Sequence, residues 1–389
     1  LLLFLSSGVC VALSMIGVSA IAMELFTSRP VGDAMATTIW GMSSSWTLTA
    51  LPLFVWMGEI LFRTKLSENL FEGLSPWMQK LPGGLIHVNV VGCAIFAAIS
   101  GSSAATVATV GKMSIPELRK RNYPEKILLG SLAGSGTLGL LIPPSIILII
   151  YGVTVQESIA KLFIAGIFPG IMIAIIFMTY VVIWSLMNKN KMPVLTEEIT
   201  FIEKIKKSGK LIPVILLIVS VIGSIYSGVA TATEAASLGV VGALILSFFQ
   251  KSLTIDSFKK SLLGATKTSC MIGFILAGST FLSLAMGFTG LPRNLAIWID
   301  TMQLSPYILI IVLMIFYIIL GMFLDGISAV VLTMAIIEPM IRQAGFDMIW
   351  FGIFLVVVVE MAQITPPVGF NLFVLQGMAE KDMGYICLL

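Results

Sequence analysis

Uncharged apolar runs alternate with short charged segments along this chain. Ile127–Gln156, Leu162–Asn188, Thr268–Pro292 and Thr301–Leu324 each lack Asp, Glu, Lys and Arg entirely. A helix of about 20 residues crosses a hydrocarbon core of roughly 30 Å, and every one of these runs is that long. The pattern predicts an all-α polytopic membrane protein.

Polar, helix-breaking residues interrupt the pattern at two points in each half. Ile99–Thr109 reads Ile-Ser-Gly-Ser-Ser-Ala-Ala-Thr-Val-Ala-Thr, midway through an apolar stretch between Leu85 and Gly111. The flanking loops fall on one side, which predicts a re-entrant helical hairpin over about 85–112 with its tip at Gly101-Ser102-Ser103. Glycine there supplies the positive φ of a sharp turn. The second half offers a hairpin over about 305–341, with its tip at Leu324-Asp325-Gly326-Ile327-Ser328. A carboxylate such as Asp325, at that depth, is costly unless paired, protonated, hydrated or bound to a cation.

Each hairpin is followed by a double proline, in Leu138-Gly-Leu-Leu-Ile-Pro-Pro-Ser145 and Met361-Ala-Gln-Ile-Thr-Pro-Pro-Val-Gly369. Pro-Pro removes two backbone donors and pushes the preceding residue out of the α region, so the helices over about 127–155 and 349–377 must be discontinuous. Unwound backbone at membrane depth persists only when buried in protein or lining a cavity. Its carbonyls suit a hard cation such as Na⁺, and half-helix N-termini can face an anion. With the hydroxyls of Ser102, Ser103, Ser145, Ser328 and Thr365, each tip and its partner break are expected to form one cation site. Segments 88–111, 127–155, 305–341 and 349–377 contain no Lys or Arg. An anion bound among them must be balanced by helix dipoles and co-bound cations, which argues for cation coupling.

The chain also resembles itself at an offset of about 220 residues. Gly8-Val9 matches Gly228-Val229, Phe54 and Gly58 match Phe274 and Gly278, and Trp77 matches Trp298; Pro116, Pro143 and Pro144 match Pro339, Pro366 and Pro367. This predicts a duplicated half-protein. Residues 1–155 form the first half, 156–210 an added span (Ile159–Trp184) and a charged linker, and 211–389 the second half. The linker returns the second half upside down, giving the inverted repeat of secondary transporters. Lys and Arg concentrate in loops at about 63–84, 112–126, 188–210, 250–267 and 378–389, which the positive-inside rule places in the cytoplasm. Only Arg29, Lys161, Arg293 and Arg342 of the 23 lie outside them.

A composition that is 58% hydrophobic and 11% charged excludes a soluble domain. The net charge of +3 needs no acidic partner, and nucleic acid is excluded. Cys10, Cys93, Cys270 and Cys387 have no pairing or metal spacing and read as small hydrophobes; His87 stands alone. No nucleophile–base pair or metal motif points to an enzyme. Glu234 reads as a favourable first-turn acid and Gly130-xxx-Gly134 as helix packing. Glu338 and Glu360, near helix ends, are expected to be solvated or to face a base. The Lys-rich linker 189–210 reads as a surface helix.

Gly-Ser-Ser-Ala-Ala-Thr, Leu-Ile-Pro-Pro-Ser, Ala-Thr-Glu-Ala-Ala, Gly-Met-Phe-Leu-Asp-Gly and Ile-Thr-Pro-Pro-Val-Gly occur in that order. Together they resemble the large (DctM-like) membrane subunit of tripartite ATP-independent periplasmic (TRAP) transporters, over essentially the whole chain. The resemblance implies an elevator-type transporter of the bacterial inner membrane that takes up small carboxylates such as C4-dicarboxylates or sialic acids. It implies Na⁺ as coupling ion with no other cofactor, a small four-helix membrane subunit, and a periplasmic binding protein that delivers substrate. By position, Gly101, Ser102, Ser103, Gly139, Pro143 and Ser145, and Asp325, Gly326, Ser328, Thr365, Pro366 and Gly369, match the family's ion-binding regions. Substrate is expected between the tips, with Ser103, Thr106, Ser145, Ser328 and Asn371 as candidate contacts. The family pattern also leads to the expectation of a further membrane helix beyond Leu389. A stand-alone cation-coupled carboxylate carrier without a binding protein is the alternative.

Overall fold

In the computed structural model, residues 3–4, 7–64, 66–193, 200–290, 294, 305–366 and 369–387 are described. Lys65, residues 194–199, Pro292, Arg293, Trp298, Thr301, Pro367, Val368 and Leu389, which bear on the expectations above, lie outside the described residues. The described chain is helical throughout, with no strand among these residues. Five described helical stretches, with Glu125–Val155 counted as one through its break, are long and apolar enough to cross a membrane, or seven if each of two bent pairs counts as one span. The fold is that of a multi-pass helical membrane protein.

Each expected hairpin falls on two consecutive helices. α1 (Ile86–Ser100) and α2 (Ser103–Lys120) pack against each other around the turn at Gly101. Gly101 closes α1 at φ +59°, where its N–H reaches the Ala97 carbonyl, and Ser102 caps α2. α2 runs on to Lys120, beyond the expected end near 112. Arg119 and Lys120 favour the negative end of its dipole, and Arg119 reaches both Glu125 and, at 2.9 Å, the Ala379 carbonyl. In the second pair, α3 (Pro306–Gly321) and α4 (Gly326–Gln343) are tied by Tyr317 Oη to Thr333 Oγ1 at 2.6 Å.

The broken helices also appear. α5 (Glu125–Gly136), a single turn at Leu138–Leu141 and α6 (Ile146–Val155) replace one continuous span; α7 (Met348–Gln363) and α8 (Phe370–Ala379) replace the other. Pro143 and Pro144 supply the first gap, and Ser145 restarts the chain by capping α6 through the Leu148 N–H. The expected added span is α9 (Ile159–Met187), against which Gly134 packs: a Cβ there would lie 3.3 Å from Phe177. Phe168, Ile175, Ile176 and Ile183 on α9 are more than half exposed, a face suited to lipid.

A second group of helices flanks this core: α10 (Val11–Phe26), α11 (Ala50–Phe62), α12 (Ile212–Tyr226), α13 (Ala232–Phe249) and α14 (Ile255–Thr289). α14, at 35 residues, is about 52 Å long by helical rise, well beyond a bilayer's hydrocarbon thickness. Lys259, Lys260 and Lys267, expected in a loop, therefore sit on its first turns. The expected loop at 63–84 likewise holds a helix, α15 (Leu66–Met78), and the linker helix α16 (Phe201–Ser208) docks on it. Trp77 donates to Ser208 Oγ at 2.7 Å and Lys210 pairs with Glu72. Glu234 closes a capping box with Thr231 at the start of α13, as its sequence position suggests.

Candidate functional site

The first tip lies directly on the first break. The Gly101 carbonyl accepts the Ile146 N–H at 3.3 Å. A Cβ on Gly101 would sit 2.7 Å from the Pro144 carbonyl oxygen, and one on Gly139 would sit 2.5 Å from the Ser102 carbonyl oxygen and 2.6 Å from Thr106 Oγ1. Backbone of tip and break thus converges so closely that only glycine fits, with the Pro144 and Ser102 carbonyl oxygens beside the Ile146 N–H at the junction. Thr106 Oγ1 donates to the Ser102 carbonyl at 2.7 Å and shares a 2.9 Å contact with Ser100 Oγ, bracing the tip from below.

The second tip is built on Asp325. Its Oδ2 accepts the Ser328 N–H at 3.1 Å, so the carboxylate caps α4 at the positive end of the helix dipole. Asp325 is half-buried and keeps its open side toward a cavity. Thr365 turns its hydroxyl to its own helix, at 2.6 Å from the Met361 carbonyl, and Gly369 restarts the chain at φ +54°. Just beyond, Asn371 is fully buried, and neither its Oδ1 nor its Nδ2 has a hydrogen-bond partner. Buried amides rarely stay unpaired, so this side chain marks a polar site at the second break.

Both tips open onto one cavity of about 730 Å³. Gly101, Ser102, Ser103, Asp325, Gly326 and Ser328 line it on the tip side; Gly58, Glu59, Phe62, Thr268, Met271 and Ile275 line it from α11 and α14. Glu59 is held by Arg63 at 2.9 Å. Gly139, Pro143, Ser145, Thr106, Thr365, Pro366, Gly369 and Asn371 do not line it. No Lys or Arg lines the cavity among the described residues.

Sequence reasoning missed three wall positions that matter. Glu59 and Thr268 come from helices far from the tips, and only packing brings them in. Gln363 lies one turn before Pro366 and receives the Ser103 hydroxyl at 2.8 Å, joining the first tip to the second broken helix. Its signal was a polar amide in an apolar run just ahead of a double proline. Glu360 departs from expectation: it is 3% exposed, with Oε1 unpartnered and a backbone contact to Leu141 but no base among the described residues. A helix end beside a break lies inside the protein, not at its surface. Glu338 does meet a base, Arg342 at 3.0 Å.

The chain matches known proteins along its whole length. Residues 1–387 match the family described as "Tripartite ATP-independent periplasmic transporter, DctM component". The C4-dicarboxylate TRAP transporter large permease protein DctM of Pseudomonas aeruginosa is 34% identical over 94% of this chain and 85% of its own length. The isethionate TRAP transporter permease protein DctMQ of Oleidesulfovibrio alaskensis is 32% identical over 98% of this chain and 60% of its own. The crystal structure of the Alcanivorax borkumensis YdaH transporter, 11% identical, superposes with a TM-score of 0.66 over 100% of this chain and 93% of that one, which shows a shared fold. On whole-length sequence similarity, this chain belongs to the DctM-component family of TRAP transporter large permeases.

Proposed function

We propose that this subunit carries out cation-coupled uptake of a small organic oxyanion, with Na⁺ as the coupling ion. The observation that carries the reading is the cavity itself. It is lined by two hairpin tips, holds the acids Asp325 and Glu59, and has no Lys or Arg among its described lining residues. An anion entering it needs compensating positive charge from outside the side chains: bound cations and the N-terminal dipoles of α2 and α4. The junction of Gly101, Ser102, Gly139 and Pro144 offers one place for such a cation, and the Asp325 carboxylate on the cavity wall offers a second. These residues hold the ion; the ion supplies charge and makes anion binding depend on its gradient.

In this reading the two hairpins and two broken helices form inverted halves of one moving body, which slides against α10–α14 as an elevator. The cavity wall, split between tips and α11 and α14, supports that division. A small membrane subunit and a periplasmic binding protein complete the system. Relatives whose names specify a C4-dicarboxylate and isethionate support a carboxylate or sulfonate as substrate. The test is uptake into proteoliposomes holding this subunit and its small partner, under an inward Na⁺ gradient, with and without the binding protein. Uptake that requires both is expected. Uptake indifferent to Na⁺ would remove the coupling, and uptake without binding protein would favour a stand-alone carrier.

A further inference from the structure

One amide in the cavity wall is held in a fixed orientation. Gln363 is 3% exposed, yet lines the cavity. Its Oε1 is occupied by the Ser103 hydroxyl at 2.8 Å, which fixes the amide plane. Its Nε2 would lie 2.7 Å from any Cβ at position 326, so the donor end rests over Gly326 at the start of α4. Among the described residues nothing accepts a hydrogen bond from Nε2. A nearly buried amide with one end clamped and both N–H groups unused is a directed donor.

Its surroundings decide what it addresses. Glu59 and Asp325 repel an anion. Ser103 spends its proton on Gln363, whereas the hydroxyls of Ser102, Ser328 and Thr268 on the same wall are rotatable and lack the fixed direction of the clamped amide. The Gln363 amide sits between the first turns of α2 and α4, whose dipoles both favour negative charge. We propose that Gln363 is the substrate-recognising donor of this cavity, presenting its Nε2–H groups to an oxygen of a carboxylate or sulfonate. The proposal rests on the uptake reading above and adds to it the contact that selects an oxyanion. An uncharged donor serves both anion types because it needs only an acceptor oxygen, with charge balance left to the coupled cation. Clamping its carbonyl also means that the amide is already oriented when substrate arrives, so little rotamer freedom is lost on binding.

Two substitutions separate this role from a purely structural brace. Gln363→Glu keeps an acceptor for Ser103 and removes the donor; Gln363→Met removes both. The measurement is the KM for labelled succinate and isethionate in Na⁺-driven uptake by the reconstituted complex with its binding protein, beside thermal unfolding of each variant. Both variants are expected to raise KM roughly tenfold or more, the cost of losing a donor to a charged acceptor. The Met variant is expected to keep the wild-type Na⁺ dependence. A wild-type KM in Gln363→Glu with a raised KM in Gln363→Met identifies a brace only and overturns the proposal, as does a wild-type KM in both. Where either variant fails to fold, Gln363→Asn, which withdraws the amide by one methylene, replaces it. A raised KM there supports the proposal and an unchanged one overturns it. Wild-type protein that takes up neither anion overturns the uptake reading and this inference together; wild-type uptake with unaltered variants overturns this inference alone.

Discussion

Asp325 caps α4 and also faces the cavity, so its charge and its acceptor oxygen are separable by Asp325→Asn. Asn caps a helix about as well as Asp, and the variant is expected to unfold within about 0.5 kcal/mol of wild type. Its uptake should nevertheless demand more Na⁺; an unchanged Na⁺ titration removes Asp325 from the coupling account. Gly101 makes the opposite case, because backbone alone sets its identity. Gly101→Ala adds a Cβ 2.7 Å from the Pro144 oxygen at φ +59°, where an L-residue already costs about 1–2 kcal/mol. Uptake is expected to be lost and the melting temperature to fall in the same variant. Gly139→Ala, at 2.5 Å from the Ser102 oxygen, should behave likewise.

Among the helices, the Pro143–Pro144 pair fixes where the first broken span opens. Replacing Pro143 and Pro144 by Ala returns two backbone donors and lets α5 extend toward α6, closing the gap that receives the first tip. The double variant is expected to reach the membrane and to lose most uptake; normal uptake would show that the gap survives without proline. These breaks were legible in the sequence because Pro-Pro or Gly-Ser-Ser in an apolar run leaves few physical readings. Helix lengths were less legible where charge begins: α2 and α14 continue through basic segments read as loops, since helix persists beyond the bilayer whenever side chains tolerate water. Gln363, Glu59 and Thr268 were hidden for another reason. Their place on the cavity wall depends on which distant helices pack together, and a single sequence records no such contact. Asn371 was legible as a polar residue after a break, but its unpaired burial was not.

At the scale of the whole molecule, one apolar surface faces outward and a polar seam runs inward. Ile175, near the middle of α9, is 57% exposed. Ile175→Arg is expected to cost about 2.5–3.5 kcal/mol of insertion free energy and to lower the membrane-inserted yield, read from the membrane fraction. The same yield as wild type would place that face against water or a protein partner. Inward, the parts of the chain before and after the linker clasp each other repeatedly. Ser103 reaches Gln363 at 2.8 Å, Tyr151 Oη reaches the Met348 carbonyl at 2.7 Å, and Arg342 reaches the Val155 carbonyl at 3.2 Å. Arg119 reaches the Ala379 carbonyl at 2.9 Å and Tyr226 Oη the Phe163 carbonyl at 3.2 Å. Covalent continuity through residues 194–199 adds little to such an interlock. Two open reading frames, one ending before Thr200 and one beginning there, should therefore yield polypeptides that find each other and copurify. A gene for this architecture can be fissioned or fused at that seam without redesigning the protein it encodes.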